Sequence, residues 1–314
     1  MQNLQCIFLQ DMSTVSIPKS AILCLGNFDG VHLAHQALIR RAKELRDLQS
    51  KDSVCGVFCF REPSWKFLLC DPPKQLCTLE QKLNAFRAAG AEYVYLADFP
   101  SLSTLSPTEF LQQILVNGCH AVGAVCGFNY RFGNKGAGSP NDLLRFFGKN
   151  ATVEREILQN GQPISSTRIR YLLKEGDIET VNHLLGRHYA FTAKVEHGKA
   201  LGKKLGAPTV NQNFPNEQLI PRRGVYVTKC SFNGVSYHGI SNVGIHPTVD
   251  TNAPINCETY LLDFEGDLYD RELTVEFLHF IRPEQHFSSK EELIKQIGID
   301  IQIARTFHEK EAKK

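Results

Sequence analysis

Residues 26–39 read GNFDGVHLAHQALI, and a short apolar run, AILCL, leads straight into them. A helical pattern follows at once, so the stretch is typical of a turn between a buried strand and a helix. Gly26 and Gly30 let the backbone approach a ligand closely, and the helix that follows offers its amino end to a phosphate. In a doubly wound sheet, ligands bind beyond the carboxyl ends of the strands, which is where we expect this turn.

The same stretch carries two histidines. His32 and His35 are three residues apart, so a helical start places both side chains on one side. Paired imidazoles aimed at a phosphate stabilise charge on a pentavalent phosphoryl group without acting as bases. A tight turn with two partly exposed histidines explains the same spacing equally well.

Composition narrows the classes of protein. The chain has 314 residues, which suits two domains, and its net charge of +2 argues against a general nucleic-acid binder. Its ten cysteines form no CxxC pair, which argues against zinc or dithiol chemistry. Several of them lie in apolar runs, as core residues do in a reducing compartment. No signal-peptide pattern or membrane-length apolar run is present, so we expect a cytoplasmic protein without a membrane partner.

The first half of the chain alternates apolar runs with helical patterns. Nearly continuous apolar runs predict strands covered on both faces at 21–25, 54–60, 93–99 and 120–126. Helical patterns lie between them, at 36–48, 78–90 and 106–116. This alternation predicts a doubly wound parallel sheet with right-handed crossovers.

The pattern changes near residue 185. From there, segments that alternate apolar and polar residues predict an antiparallel, barrel-like sheet. FNG (232–234) and EGD (265–267) are interpreted as hairpin turns. A helical segment at 164–185 bridges the halves, and a final helix is expected over 288–307.

Several motifs carry a family resemblance. The opening stretch resembles the HxGH signature of nucleotidylyltransferases and, more closely, the flavin-adenylylating module of bacterial bifunctional riboflavin kinase/FAD synthetases. CTLEQK, GFNYRFGNKGAG (127–138) and ISSTRIR (164–170) resemble later segments of that module in the same order. GRHYAFTAKVEHGKALGKKLGAPTVN and ETYLLDFEGDLYDRELTVEFLHFIRPEQHF resemble the kinase module.

The resemblance implies an activity for each half of the chain. Residues 1–185 are expected to form an FMN adenylyltransferase domain of nucleotidylyltransferase type. Residues 186–314 are expected to form a six-stranded riboflavin-kinase-like β-barrel with a C-terminal helix. Together they would phosphorylate riboflavin to FMN with ATP, and then adenylylate FMN to FAD with release of pyrophosphate.

In the kinase half, the residues favour a metal-assisted phosphoryl transfer. Thr209 and Asn211 point to the same side of an extended segment, where neutral oxygen donors suit Mg²⁺. Glu258 shares a strand face with apolar residues and would suit a general base, although a salt-bridged glutamate at a strand end is the alternative. A glycine- and lysine-rich loop would wrap the triphosphate, with a pair of solvated hairpin turns as its alternative; its residues are Gly198, Gly202, Lys203 and Gly206. The resemblance implies flavin contacts at Gly224, Tyr226, Arg282 and Phe287.

In the other half, the resemblance assigns His32 and His35 to the α-phosphate of ATP. Ser166, Thr167 and Arg170 would serve the β- and γ-phosphates, although SSTRIR is equally a plain helix cap with surface arginines. The remaining nucleotide-binding residues implied are Gly26, Phe28, Asp29, Gly30 and Asn129. For Asn129, a turn asparagine is the local alternative.

The sequence departs from the family pattern at several positions. Ala34 stands where the family has glycine between its histidines, and FREPSW (60–65) replaces a Phe-Asp-Pro-His-Pro-like segment. His246 and Asp270 depart from the kinase pattern. Two alternatives therefore stay open: a riboflavin kinase with a weak or degenerate adenylyltransferase domain, and a non-enzymatic flavin or nucleotide sensor. We expect riboflavin, FMN and ATP as partners, no nucleic acid, no tightly bound cofactor, and a monomer or weak homo-oligomer.

Overall fold

The computed structural model describes residues 4–9, 20–49, 52–196, 209–245 and 255–311. Contacts divide the chain into two compact units, Met1–Ser166 and Thr167–Lys314. The boundary expected at 185/186 lies after two helices that these contacts group with the second unit, and it stays a prediction.

The first unit is built on a six-stranded sheet. Its strands are β1 (Gln5–Phe8), β2 (Ala21–Leu25), β3 (Val54–Phe60), β4 (Tyr93–Ala97), β5 (Ala121–Gly127) and β6 (Ala151–Glu154). They lie in the order β1-β4-β3-β2-β5-β6, and every neighbouring pair runs parallel. The chain runs outward from β2 through β3 and β4, and then returns to β5 on the other side of β2. The segments that follow β2 and β5 therefore flank a topological switch point.

Apolar side chains project from both faces of this sheet. In β2, Ile22 and Cys24 join one buried cluster, whereas Leu23 and Leu25 join another, as the alternation of side chains along a strand requires. The connecting helices are α1 (Leu33–Gln49), α2 (Trp65–Leu68), α3 (Leu79–Ala89), α4 (Phe99–Leu102), α5 (Pro107–Glu109) and α6 (Pro140–Phe147). A short hairpin, β7 (Leu158–Gln159) with β8 (Gln162–Pro163), follows β6. The predicted doubly wound sheet is confirmed.

Local sequence signals set the helix ends. Thr78 accepts a hydrogen bond from the backbone N–H of Gln81, whose side chain accepts one from the backbone of Thr78, and this capping box begins α3. Gly90 ends it in the left-handed conformation, at φ 86°. The helix expected over 106–116 begins as α5 and continues as a π-helix over Phe110–Gly118.

The second unit is an antiparallel sheet preceded by two helices and followed by one. The helices are α7 (Ser166–Glu175), α8 (Ile178–Leu185) and α9 (Lys290–Glu311). The strands are β9 (Tyr189–Lys194), β10 (Thr209–Asn213), β11 (Gly224–Phe232), β12 (Val235–Ile245), β13 (Ile255–Leu261) and β14 (Glu272–Arg282), in the order β10-β13-β12-β11-β14-β9. The two edges approach each other where Glu196 pairs with Asn211, so the sheet curls into a barrel. The expected fold is confirmed.

The two faces of the curled sheet have different contents. The inner face is aromatic, with rings contributed by Tyr189, Phe191, Phe214, Tyr226 and Phe277. The outer face carries a separate apolar cluster that includes Val225, Val227, Ile240 and Leu278, and α9 covers it with Ala304. This packing holds α9 against the barrel.

Some sequence-based expectations were wrong in detail. The helical segment 164–185 is two helices, because Gly176 adopts φ 84° and Asp177 caps a new start at α8. Asn233 and Gly234 do form the tight turn between β11 and β12, both with positive φ. EGD is not a hairpin turn, because β13 pairs with β10 and β12 rather than with β14. Strands β1 and β6 were not predicted.

The cysteines are mostly core residues, as expected. Eight of the ten are buried, Cys6 is half-buried and Cys70 is exposed. Burial raises the pKa of the Cys59 thiol to about 11, so it stays protonated at neutral pH. Among the described helices, none has the length and apolar character needed to cross a membrane.

The packing of α9 predicts an acid-sensitive contact. His308 is buried and stacks on His238 of β12, with ring centroids 3.8 Å apart. Burial, followed by the neighbouring His238, lowers the pKa of His308 to about 4. The unfolded chain binds this proton below about pH 6.5, whereas the folded chain resists it. The stability that the second unit gains by burying a neutral His308 is therefore complete above about pH 6.5 and is lost as the pH falls toward about 4.

Between pH 7 and pH 4.5, we expect the second unit of His308→Phe to lose roughly 1–3 kcal/mol less stability than that of the parent protein. Hydrogen exchange of the β11 and β12 amides at both pH values measures it. Replacement of the exposed His286 by Phe is the control. An unchanged pH dependence in His308→Phe would contradict the assignment.

Candidate active sites

The turn after β2 has an unusual backbone. Phe28, Gly30 and Val31 adopt positive φ values of 51°, 76° and 41°. Such values are costly for a phenylalanine and more so for a β-branched valine. Phe28 and Asp29 are almost fully buried, and a Cβ at Gly26 would lie 3.2 Å from the Phe28 ring. The turn is therefore held in a conformation that an isolated peptide would avoid.

Contacts from distant parts of the first unit hold this turn. The carboxylate Oδ1 of Asp29 accepts a hydrogen bond from the backbone N–H of Leu76 at 2.9 Å. The Ser166 hydroxyl donates to the backbone carbonyl of Asp29 at 2.9 Å. Lys82 Nζ donates to the backbone carbonyl of Asn27 at 3.3 Å. Ser166 thus lies at the turn and binds the backbone of Asp29, while its contact with phosphate stays a prediction.

The two histidines form a stacked pair. The rings of His32 and His35 lie 3.6 Å apart between centroids, at 14°. His32 precedes α1, and its Nδ1 lies 3.4 Å from the backbone N–H of His35, which donates to it. An accepting Nδ1 assigns the proton to Nε2, so the ring presents a donor at its far end. The predicted side-by-side placement is what the structure contains.

The remaining predicted residues lie near the switch point or on α7. Asn129 is exposed in the turn that follows β5, and β5 is the strand that pairs with β2. Ser166 begins α7, which carries the exposed Thr167 and the half-buried Arg170 in its first turn and a half. Their contacts with a nucleotide stay a prediction.

Sequence reasoning missed an aromatic group at the carboxyl ends of β3 and β4. Phe60 lies edge-on to Phe99, with centroids 5.2 Å apart, and Phe67 stacks on Phe99 at 5.8 Å. Phe67 is 44% exposed. Beside it, Arg61 pairs with Asp98 through two hydrogen bonds, of 3.1 and 3.2 Å. The sequence signal available for this group is three phenylalanines at or just beyond the ends of two predicted strands.

The second site is assembled by strand register. Asn211 of β10 and Asn242 of β12 are both direct cross-strand partners of Glu258 on β13. Directly opposed residues project from the same face, with Cβ atoms roughly 4.5–5.5 Å apart. Thr209 lies two residues from Asn211 and therefore on that face too. The structure thus brings together the predicted metal-binding pair and the predicted base.

A further asparagine, Asn256, lies on the same face of the sheet as Glu258. Asn256 Nδ2 donates to Asn211 Oδ1 at 3.4 Å, and both side chains are buried. Neither Asn242 nor Asn256 was predicted, although Asn256 lies two residues before Glu258. Tyr260, two residues beyond Glu258, packs against the apolar cluster under α9. The site therefore lies on the outer face of the barrel.

Three of the four predicted flavin-binding residues lie together. A Cβ at Gly224 would lie 2.3 Å from the Arg282 carbonyl oxygen, and the Arg282 guanidinium lies 5.7 Å from the Phe287 ring centroid. Tyr226 is placed differently: it is fully buried inside the barrel, and its hydroxyl donates to the Arg222 carbonyl. Because β11 turns this ring inward, Tyr226 lies apart from the other three residues, and its contact with a flavin stays a prediction.

Part of the predicted kinase site lies outside the described residues. These positions are Gly198, Gly202, Lys203, Gly206 and His246. The oxygen donors that are described, on Thr209, Asn211 and Glu258, fit Mg²⁺, which prefers few protein ligands together with phosphate and water.

Comparison with known proteins matches both halves of the chain. A family model described as riboflavin kinase matches residues 185–308, and one described as FAD synthetase matches 14–168. Bifunctional riboflavin kinase/FMN adenylyltransferases of Listeria monocytogenes and Bacillus subtilis are 34% and 35% identical, over 92% and 90% of this chain and 93% and 91% of theirs. The chain belongs to this family.

A solved structure gives the same architecture. A Streptococcus pneumoniae protein described as a macrolide-efflux protein superposes with a TM-score of 0.87 at 27% identity, over 96% of this chain and 98% of that one. The fold of this chain is therefore also that of a solved structure.

Arg282 generates a stability prediction. It donates three hydrogen bonds to the buried carboxylate of Asp300 on α9, at 2.6 to 3.1 Å. Removing one partner of a buried pair leaves an uncompensated charge, so we expect Asp300→Ala to destabilise the second unit by about 3 kcal/mol. The exposed Asp263–Arg305 pair is the matched control. Asp263→Asn, which keeps a side chain that tolerates the positive φ of this residue, should cost far less, because solvent screens an exposed pair.

Urea titration followed by far-UV circular dichroism and hydrogen exchange of β14 measures both variants. Equal losses would show that burial of the Arg282–Asp300 pair carries no special weight.

Proposed function

We propose that the second unit phosphorylates riboflavin to FMN and that the first unit adenylylates FMN to FAD, with ATP as the donor in both reactions. Membership of the bifunctional family supports the pair of activities. The single observation that supports the assignment of residues is the cross-strand row that places Glu258 opposite Asn211.

For phosphorylation, Glu258 is the proposed general base. Its carboxylate takes the proton from the ribityl 5′-hydroxyl as that oxygen attacks the γ-phosphorus of ATP. The bond from the γ-phosphorus to the bridging oxygen breaks, and ADP leaves. Thr209 and Asn211 would hold Mg²⁺, which neutralises charge on the phosphates when bound. The buried amide of Asn256 fixes the orientation of Asn211 through its hydrogen bond.

Gly224, Arg282 and Phe287 are proposed to hold the flavin. Gly224 admits close approach because its Cα carries no side chain. Phe287 offers an apolar ring for the isoalloxazine, and Asp300 keeps Arg282 in place beside it. The loop with Gly198, Gly202, Lys203 and Gly206 is proposed to wrap the triphosphate.

For adenylylation, an oxygen of the FMN phosphate attacks the α-phosphorus of ATP, and pyrophosphate leaves with the bridging oxygen. The Nε2–H of His32 is proposed to donate to an α-phosphate oxygen, where charge increases in the transition state, with His35 stacked behind it. Neither imidazole needs to accept a proton, because the attacking phosphate is already an anion.

The rest of this site binds the substrates. Ser166, Thr167 and Arg170 are proposed to receive the β- and γ-phosphates at the start of α7. The backbone of the turn and Asn129 complete the nucleotide site through Gly26, Phe28, Asp29 and Gly30. The exposed ring of Phe67, stacked on Phe99, is a candidate platform for the flavin of FMN.

A kinase with weak adenylylation is the second candidate. The observation that favours it is that Arg61 and Glu62 are both engaged in ion pairs, with Asp98 and Lys66, at the rim where FREPSW departs from the family pattern. Within either candidate, we propose a cytoplasmic monomer or weak homo-oligomer that binds no nucleic acid and no permanent cofactor, with domains at 1–185 and 186–314.

Reciprocal variants test the proposal within one polypeptide. Glu258→Ala should lower FMN formation about 10²–10⁴-fold and leave FAD formation from supplied FMN intact. His32→Ala should lower FAD formation about 10²–10³-fold and leave FMN formation intact. Chromatography of flavins after incubation with ATP and Mg²⁺ measures both. Each variant is the folding control for the other.

A Glu258→Ala protein that phosphorylates riboflavin at the full rate would refute the base assignment. Parent protein that forms FMN but little FAD would favour the second candidate.

A further inference from the structure

Lys82 has no role in the proposed mechanism, yet its position is unusual. It lies on α3 with an exposed fraction of 0% and is among the largest fully buried side chains. Its ammonium donates to the carbonyl oxygen of Asn27, at 3.3 Å. Within the described residues, no carboxylate forms an ion pair with it.

A buried cation with a neutral acceptor is costly, because water has been removed and no anion replaces it. The thiol of Cys59, which lies close enough for Lys82 to affect its ionisation, does not supply the missing charge. Burial keeps the pKa of Cys59 at about 11, so this thiol is neutral. A methionine would fill the same space without that cost. The hydrogen bond to Asn27 gives a stability reason for a donor here, but the structure gives none for a positive charge.

The Asn27 carbonyl belongs to the peptide group that also carries the N–H of Phe28. No described residue accepts a hydrogen bond from this N–H. A charge-assisted hydrogen bond to a peptide carbonyl polarises the peptide and makes its N–H a stronger donor. The same bond fixes the peptide plane within a turn whose φ values are strained at Phe28 and Val31.

We propose that Lys82 is a positioning residue for adenylylation, which orients and polarises the Asn27–Phe28 peptide so that the Phe28 N–H donates to a phosphate of bound ATP. The inference rests on the proposed adenylylation of FMN. The phosphate supplies the negative charge that the buried ammonium lacks, and the two charges interact across one peptide group. Lys82 itself need not touch the nucleotide.

A purely structural tether is the competing explanation. A tether requires only a hydrogen-bond donor, so a neutral amide would replace the ammonium without loss. Removal of a tether would also reduce activity through unfolding of the first unit, rather than through the catalytic rate of the folded protein.

The experiment uses the full chain with Lys82→Met, which removes both donor and charge, and Lys82→Gln, which keeps a neutral donor. Lys149→Met, at an exposed position in the same unit, is the matched control. FAD formation is measured over ranges of ATP and FMN, and riboflavin phosphorylation is measured on the same samples. Trp65, the single tryptophan, reports thermal unfolding of the first unit by fluorescence.

We expect Lys82→Met to lower the kcat of FAD formation about 100-fold and Lys82→Gln about 10-fold, with the KM for ATP changed less than either. Riboflavin phosphorylation and Lys149→Met should match the parent, and the first unit should stay folded at the assay temperature.

Four outcomes would overturn the inference. Lys82→Met with parental FAD formation refutes it while leaving the proposed function intact. Lys82→Gln with parental FAD formation would show that Lys82 is only a structural tether. Activity loss that follows the unfolding reported by Trp65 fluorescence would show the same. A parent chain that forms no FAD at all refutes the adenylylation proposal itself, and Lys82 with it.

Discussion

The first unit depends on a backbone turn that the chain would not adopt by itself. Phe28 and Val31 are non-glycine residues in the left-handed region, and each such residue costs roughly 1–3 kcal/mol. Hydrogen bonds to Asp29 and Asn27 from three other segments offset that cost. Because the surrounding structure fixes the turn, its donors would need no rearrangement to bind the phosphate that we propose for this site.

The second unit reaches a comparable arrangement by a different route. Its proposed base and metal-binding residues lie on regular strands, and the antiparallel register alone sets them opposite each other. A slip of one residue in β13 would send Glu258 into the aromatic interior and Cys257 to the outer face. The buried hydroxyls of Thr228, Ser241 and Thr259 form a chain of hydrogen bonds of 2.8 and 2.7 Å, and such a slip is opposed because it would break the bond between Ser241 and Thr259. Polar groups inside the barrel thus help to fix the strand register on which the proposed site depends.

Much of this was accessible from the sequence. Strands β2 and β3 have the predicted limits, because a parallel strand covered on both faces is a continuous apolar run. The placement of Glu258 near Asn211 followed from resemblance and was supported by register. The EGD error had a topological cause: a turn sequence does not reveal which strands pair. Tyr226 was assigned to the flavin by resemblance alone, and the inward direction of its ring is not visible in a nearly continuous apolar run. Lys82 left no signal, since burial of a lysine is invisible in a helical pattern of mixed charge.

The distribution of thiols has a practical consequence. All ten cysteines lie within the described residues, and Cys70 is the only exposed one. It lies in the connection between α2 and α3, a few residues before the segment that binds Asp29 through Leu76. The native chain therefore carries a selective attachment point for a maleimide fluorophore, one that needs no cysteine-free background. A dye there would report in real time on the nucleotide binding that we propose beside the strained turn.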